Sequence, residues 1–236
     1  MTTGTLFLIP VPLGPVEPET VLPLPVLARV RPLRHFVVEQ AKTARVFLKA
    51  VGTELPLQEL DIQELNEHTR RDDLAPLLAP LLAGWDIGLL SEAGCPAVAD
   101  PGADLVALAQ QAGIRVVPLI GPSSLLLALM ASGLNGQRFA FHGYLPAKDP
   151  ERQKELRDLE NESRKRRQTQ LFIETPYRNR QLLEAILKSC QPQTRITLAT
   201  DLTLPGESIV TRTVAAWKKQ PPPDIERRPT VFLMLA

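Results

Sequence analysis

Short apolar runs recur along the first half of the chain, separated by stretches in which apolar residues return every third or fourth position. The runs are residues 5–9 (TLFLI), 35–38 (HFVV), 85–90 (WDIGLL) and 115–120 (RVVPLI). Near-continuous apolarity over so few residues suits strands buried on both faces of a parallel sheet. A further strand is expected over 54–60, and helices over 44–51, from Asp72 to near Gly84, over 101–112 and over 125–131. The helix at 101–112 is well punctuated: Asp100 suits the N-cap, Pro101 the first helical position, Asp104 the positive first turn and Gly113 the stop. Its Leu105, Val106, Leu108, Ala109 and Ala112 fall on one stripe. Alternation of strand and helix predicts an α/β unit with a mainly parallel, helix-covered sheet.

The pattern changes after Asn135-Gly136, a strong turn dipeptide and the expected hinge between an N-terminal domain 1–134 and a C-terminal domain 135–236. Beyond it, strands are expected over 138–144 and 171–175, a highly charged helix over 151–167 and a second helix over 177–188. Three more β-rich segments follow at 195–202, 207–213 and 230–235, with Pro205-Gly206 as a turn between the first two. Hairpin pairing of this kind predicts a mixed sheet in the C-terminal domain.

Composition narrows the function classes. Lys plus Arg number 27 against 26 Asp plus Glu, so no whole-molecule field draws the chain to a polyanion, and any RNA must be held by a local patch. The first residues, MTTGTLFLIP, lack a basic segment followed by a long apolar one, and a cytoplasmic location with no membrane contact is expected. Cys95 and Cys190 form no C-x-x-C pair and the three histidines are scattered, so neither a disulfide framework nor a metal site is expected.

Candidate chemistry lies where the strands stop. After residue 9 comes Pro10-Val11-Pro12-Leu13-Gly14-Pro15, after residue 90 comes Ser91-Glu92-Ala93-Gly94-Cys95-Pro96, and after residue 120 comes Gly121-Pro122-Ser123-Ser124. Small residues between a strand end and a helix start let a ligand approach the backbone of an open α/β sheet. The proline-rich first loop has neither G-x-G-x-x-G nor a phosphate-loop lysine, which argues against a nicotinamide or nucleotide-hydrolase site.

The strings LLSEAGCPAVADPG and IRVVPLIGPSS resemble the SDAGTP…SDPG and VVPIPGPSA signatures of the tetrapyrrole methylase superfamily, which uses S-adenosylmethionine (SAM). Within it the chain is most similar to the branch that methylates ribose 2′-oxygens of small-subunit ribosomal RNA at cytidine. That likeness also includes Asn66-Glu67-His68-Thr69, FHGYLPAKDPER at 141–152 and ETPYR at 174–178. The resemblance implies a two-domain tetrapyrrole-methylase-like fold, with SAM in the cleft between the domains, a homodimer and an RNA substrate. It places the cofactor on Leu13, Gly14, Glu92, Ala93, Gly94, Cys95, Ser123 and Ser124, and in the second domain on Ile173, Glu174, Leu202 and Pro229.

The chain departs from that branch. GNLxDIT is replaced by Gly14-Pro15-Val16-Glu17-Pro18, and EDTRxT by Glu39-Gln40-Ala41-Lys42-Thr43, which exchanges an arginine fork for a point charge at Lys42. Methyl transfer from a sulfonium needs alignment above all, while a ribose hydroxyl also asks for a proton acceptor. Glu39, Lys42 and His68 are the candidates for that role, with none singled out. Cys95, without a histidine nearby in sequence, reads as a small pocket-lining residue. The basic string Arg164-Lys165-Arg166-Arg167 is interleaved with acids and reads first as a solvated helix face, second as an RNA-facing strip. A small-molecule (tetrapyrrole-like) acceptor and a non-catalytic SAM- or RNA-binding module remain as alternatives at this point.

Overall fold

The apolar runs do form a parallel sheet, and the reason is visible residue by residue in β1 (Thr5–Ile9). Its Phe7 and Ile9 join one hydrophobic cluster while Leu6 joins another on the opposite face, so both faces of the strand are dry. The computed structural model of the protein describes residues 3–66 and 68–236. They divide into two compact units, 1–123 and 124–236.

In the first unit β1 lies between β4 (Ile87–Leu90) and β5 (Arg115–Pro118), with β2 (His35–Val38) and β3 (Asp61–Glu64) beyond β4. All the pairings are parallel, for example Leu6 opposite both Ile87 and Val116. One face is covered by α1 (Leu24–Val30) and α2 (Ala41–Val51), which buries Ala44, Phe47, Leu48 and Val51 at helical spacing and stops at left-handed Gly52. The other face carries α3 (Leu74–Leu77), α4 (Ala79–Leu82) and α5 (Gly102–Gln111), through Leu74, Leu78, Leu81, Leu105 and Ala109.

Three expectations are corrected here. The third strand is Asp61–Glu64, not 54–60: Pro56 sits in a turn closed by Glu59 N–H to Pro56 C=O, and Leu55, Leu57 and Leu60 reach the core from irregular backbone. β4 starts at Ile87 because the Trp85 N–H is spent on Pro80 C=O and the Asp86 carboxylate accepts the Thr5 N–H at 2.7 Å. The helix expected from Asp72 to Gly84 is a 3-10 turn (Arg71–Asp73) and two short helices, separated at Leu78.

The second unit has the strand order β6-β7-β10-β8-β9, with β6 (Phe139–Tyr144) and β7 (Thr169–Ile173) parallel and β8 (Arg195–Thr200), β9 (Ser208–Thr213) and β10 (Thr230–Leu235) antiparallel to their neighbours. β10 is central and all six of its residues are buried. Phe172 and Phe232 stack at 6.0 Å across β7 and β10, and α7 (Glu151–Arg166), α8 (Asn179–Ser189) and α9 (Val214–Trp217) close that core with Leu156, Leu182, Ile186 and Trp217. Helix α6 (Ser124–Ser132) belongs with this unit rather than with 1–123: it lies against β8, β9 and β10, and the Thr211 hydroxyl donates to Ser132 C=O at 2.7 Å. The turn signals in the sequence, Gly133 and Asn135-Gly136, lie beyond this helix. Among the described residues no helix is long and apolar enough to cross a membrane.

Candidate functional site

Parallel strands share one C-terminal edge, so loops distant in sequence meet there. In the first unit the loops after β1 and β4 are tied by paired backbone bonds between Val11 and Gly94, and Cys95 Sγ lies 3.5 Å from Pro122 C=O. Leu13, Gly94, Cys95 and Ser123 are thereby brought into one neighbourhood. Gly94 is left-handed (φ 73°), and a Cβ there would sit 3.2 Å from Leu13 Cδ2. Gly121 is tighter still: its added Cβ would fall 2.4 Å from Pro10 Cβ. The glycines are what allow these backbones to close on one another.

The same edge gathers carboxylates. Glu39, directly after β2, accepts the Glu92 N–H at 3.1 Å, and Glu92 accepts from the Thr43 hydroxyl at 3.4 Å. Asp100 completes the group. It does not cap α5, whose N-cap position is Pro101; instead left-handed Ala97 and Ala99 carry it into a cavity of about 10 Å³ lined by Glu39, Ser91 and Leu90. That is room for a water at most, so any cofactor lies outside it. Burial pushes the Asp100 carboxyl up to about 6, the charge of Glu39 adds to the rise, a hydrogen bond from Ser91 opposes it, and Glu92 contributes in the upward direction. Asp100 was missed as a functional residue because D-P-G reads locally as a helix start; its approach to the charge of Glu39 is a long-range event with no local signal.

The other candidates in this unit have plainer surroundings. Lys42 is exposed in the first turn of α2. The 66–69 segment is a self-bonded turn, with Asn66 N–H to the Thr69 hydroxyl and His68 N–H to Asn66 Oδ1, both at 3.0 Å; Glu67 lies outside the described residues. Burial, with Asp100 next, raises the Cys95 thiol above its ordinary value, so Cys95 is a poor nucleophile and lines the loop.

In the second unit, antiparallel register does the gathering. Ile173 at the end of β7 pairs with Val231, and Thr200 at the end of β8 pairs with Thr230, which puts Glu174, Leu202 and Pro229 at one end of the sheet. Asp201 N–H donates to Pro229 C=O at 2.9 Å. The Glu174 side chain is 1% exposed. Its Oε1 accepts from Thr175 N–H and hydroxyl and from Arg178 Nε and Nη2, while Oε2 is buried without a partner. Arg178 also covers the exposed Tyr177 ring at 5.4 Å. The basic string at 164–167 is a solvated helix end: Arg164 faces Glu160 at 3.9 Å and Arg166 pairs with Glu162.

The carboxylates and close-packed glycine loops of the first unit suit a cationic group better than a phosphate. Among the described residues no group of His, Cys, Asp and Glu could hold a metal ion.

Ribosomal RNA small subunit methyltransferase I of Pseudomonas aeruginosa is 34% identical over 89% of this chain and 70% of its own length. The protein of the same name from Escherichia coli O157:H7 is 34% identical over 92% of this chain and 73% of its own. Among solved structures, the methyltransferase CobJ superposes with a TM-score of 0.64 at 20% identity over 100% of this chain and 94% of that one. Uroporphyrin-III-C-methyltransferase from Thermus thermophilus superposes with a TM-score of 0.57, also at 20% identity, over 98% and 92%. The Tetrapyrrole (Corrin/Porphyrin) Methylases family matches residues 11–217. By that match and those relatives, the chain belongs to the tetrapyrrole methylase family and is a SAM-dependent methyltransferase.

Proposed function

We propose that this chain moves the methyl group of SAM to RNA, at a ribose 2′-oxygen of a ribosomal nucleotide, as a cytoplasmic homodimer. The relatives named ribosomal RNA small subunit methyltransferase I support the acceptor. The observation that carries the chemistry is the carboxylate group at the ends of β2 and β4, in which Asp100 is held at about 6 beside Glu39. A ribose hydroxyl must lose its proton as its oxygen bonds to carbon, and a carboxylate tuned toward neutrality accepts that proton better than an ordinary one.

In this reading SAM supplies a methyl whose bond to sulfur breaks with the electron pair staying on sulfur. Leu13, Gly14, Glu92, Ala93, Gly94, Cys95 and Ser123 would hold it in the first unit, and Ser124, Ile173, Glu174, Leu202 and Pro229 in the second. Asp100 takes the proton of the acceptor hydroxyl by way of the one water that its cavity has room for. Glu39 has two parts: through the Glu92 N–H it orders the 91–95 loop, and its charge keeps the Asp100 proton affinity high. Lys42 and His68 flank the same edge as contacts for the substrate. The homodimer is supported by α6, which leaves Leu126 and Met130 52% and 79% exposed. Light scattering is expected to give twice the mass of one chain.

The acceptor is tested by incubating the protein and methyl-labelled SAM with RNA, protein and small-molecule fractions from cells lacking it. Label is expected in ribosomal RNA, and nuclease mapping should find it on a ribose. Label only among small molecules would move the acceptor to the metabolite class, and SAM binding with no labelled product would remove the enzymatic reading.

A further inference from the structure

At the end of β8 the backbone turns through two left-handed residues that are not glycine, Asp201 (φ 50°) and Thr203 (φ 68°). A β-branched residue there is out of its ordinary range, and such a conformation persists only where surrounding groups over-determine it. The surrounding group is Arg228. Its Nε donates to Asp201 Oδ2 at 2.8 Å, Nη2 to Gly206 C=O at 2.6 Å, and Nη1 to Asp224 C=O and Oδ2 at 2.8 and 3.2 Å. One planar fork thus grips both ends of the 201–206 loop and a third segment. The Arg228 backbone is itself pinned, since buried Asn179 on α8 donates to its C=O at 2.7 Å. A Cβ on Gly206 would sit 3.1 Å from both Arg228 Nη2 and Asp201 Oδ2, so the loop is built around the guanidinium.

The strained segment begins with Asp201 bonded to Pro229, contains Leu202, and holds the buried, unpartnered Thr203 hydroxyl. We propose that Arg228 is a positioning residue for methyl transfer: it locks the 201–206 loop in the left-handed conformation that borders SAM, and touches neither SAM nor acceptor. This rests on the reading that Leu202 and Pro229 border the cofactor. Without the fork, Thr203 relaxes to ordinary backbone angles and only a fraction of molecules present a competent loop, which weakens apparent affinity by that fraction.

The test is SAM binding by calorimetry together with steady-state methyl transfer. Arg228→Ala should raise the Kd and KM for SAM about tenfold, corresponding to about a tenth of loops remaining competent, with kcat at saturating SAM held within about twofold. Arg228→Lys keeps the charge and the fold but cannot reach Asp201, Gly206 and Asp224 together, so it should recover only part of the loss. Adding Thr203→Gly to Arg228→Ala should recover part of the affinity, because glycine adopts positive φ without penalty; a merely structural arginine gives no such rescue. Unchanged SAM affinity in both Arg228 variants, a fall in kcat at constant KM, or no rescue by Thr203→Gly overturns the clamp. Failure of the unaltered protein to bind SAM would instead remove the methyltransferase reading on which it rests.

Discussion

An asparagine at position 100 is expected to make the protein more stable and nearly inactive. Asp100 is half withdrawn from water beside Glu39 and Glu92, and its carboxyl is raised from 3.8 to about 6. The native state therefore binds that proton more tightly than the unfolded chain. Stability falls as pH rises between those two values and stays lowered above the upper one. Asp100→Asn removes the penalty: the gain should be fully present above pH 6 and absent below pH 4. The bare shift would correspond to about 3 kcal/mol, but solvent screening of a half-exposed group brings the expected gain to about 1–2 kcal/mol, read by denaturant titration at two pH values. Activity moves the other way. If Asp100 accepts the acceptor's proton, kcat should drop by about a hundredfold or more with SAM affinity kept. In the unaltered protein the rate should rise with pH through about 6 and level off, as the carboxylate form becomes the major one. An Asp100→Asn protein with ordinary kcat would remove Asp100 from the chemistry, and one less stable at neutral pH would mean that its hydrogen bond from Ser91 outweighs its charge.

The second large effect is expected in the other unit. Glu174→Ala takes away an acceptor that serves four donors and leaves the Arg178 guanidinium without its carboxylate. Removing one partner of a buried pair typically costs 3–5 kcal/mol, and because the Arg178 side chain keeps 27% of its surface in water the lower figure, about 3 kcal/mol, is expected. Glu174→Gln keeps volume and one acceptor oxygen, so it should cost about half as much. It separates structure from ligand: Oε2, buried and unpartnered, becomes an amide donor in one flip state, and a SAM amine or hydroxyl that needs an acceptor there should bind about tenfold more weakly. Equal SAM affinity in Glu174→Gln would confine Glu174 to holding Arg178.

What the sequence reveals of this fold depends on how far each element is buried. β1, β2, β4 and β10 are apolar because both of their faces are covered, and their runs stand out. β3 is an edge strand with the sequence DIQE; it owes its conformation to pairing with β2, so no local pattern announces it. The neighbouring apolar positions at 55, 57 and 60 attract the strand assignment instead. Helix α6 is apolar all round, so its sequence does not say which of its faces packs or against which sheet, and Leu126 and Met130 in fact stay exposed. The site divides the same way. Gly94, Cys95 and Ser123 sit in loops that glycine and proline mark plainly. Asp100 comes beside Glu39, and Arg228 reaches Asp201, only when strands far apart in sequence come into register, and the chain carries no local sign of either approach.

The central, wholly buried place of β10 has a consequence for synthesis. The first unit has all its strands once residue 118 has been made, and it can fold while the ribosome is still working. In the second unit β7 and β8 touch only through β10. Until Leu235 has emerged, β6-β7 and β8-β9 are two separate strand pairs, and Phe172, Leu198 and their neighbours remain greasy surface in a growing chain. A nascent polypeptide stalled before that point would carry a finished domain tethered to a sticky one, and it is there that a chaperone would find most to hold.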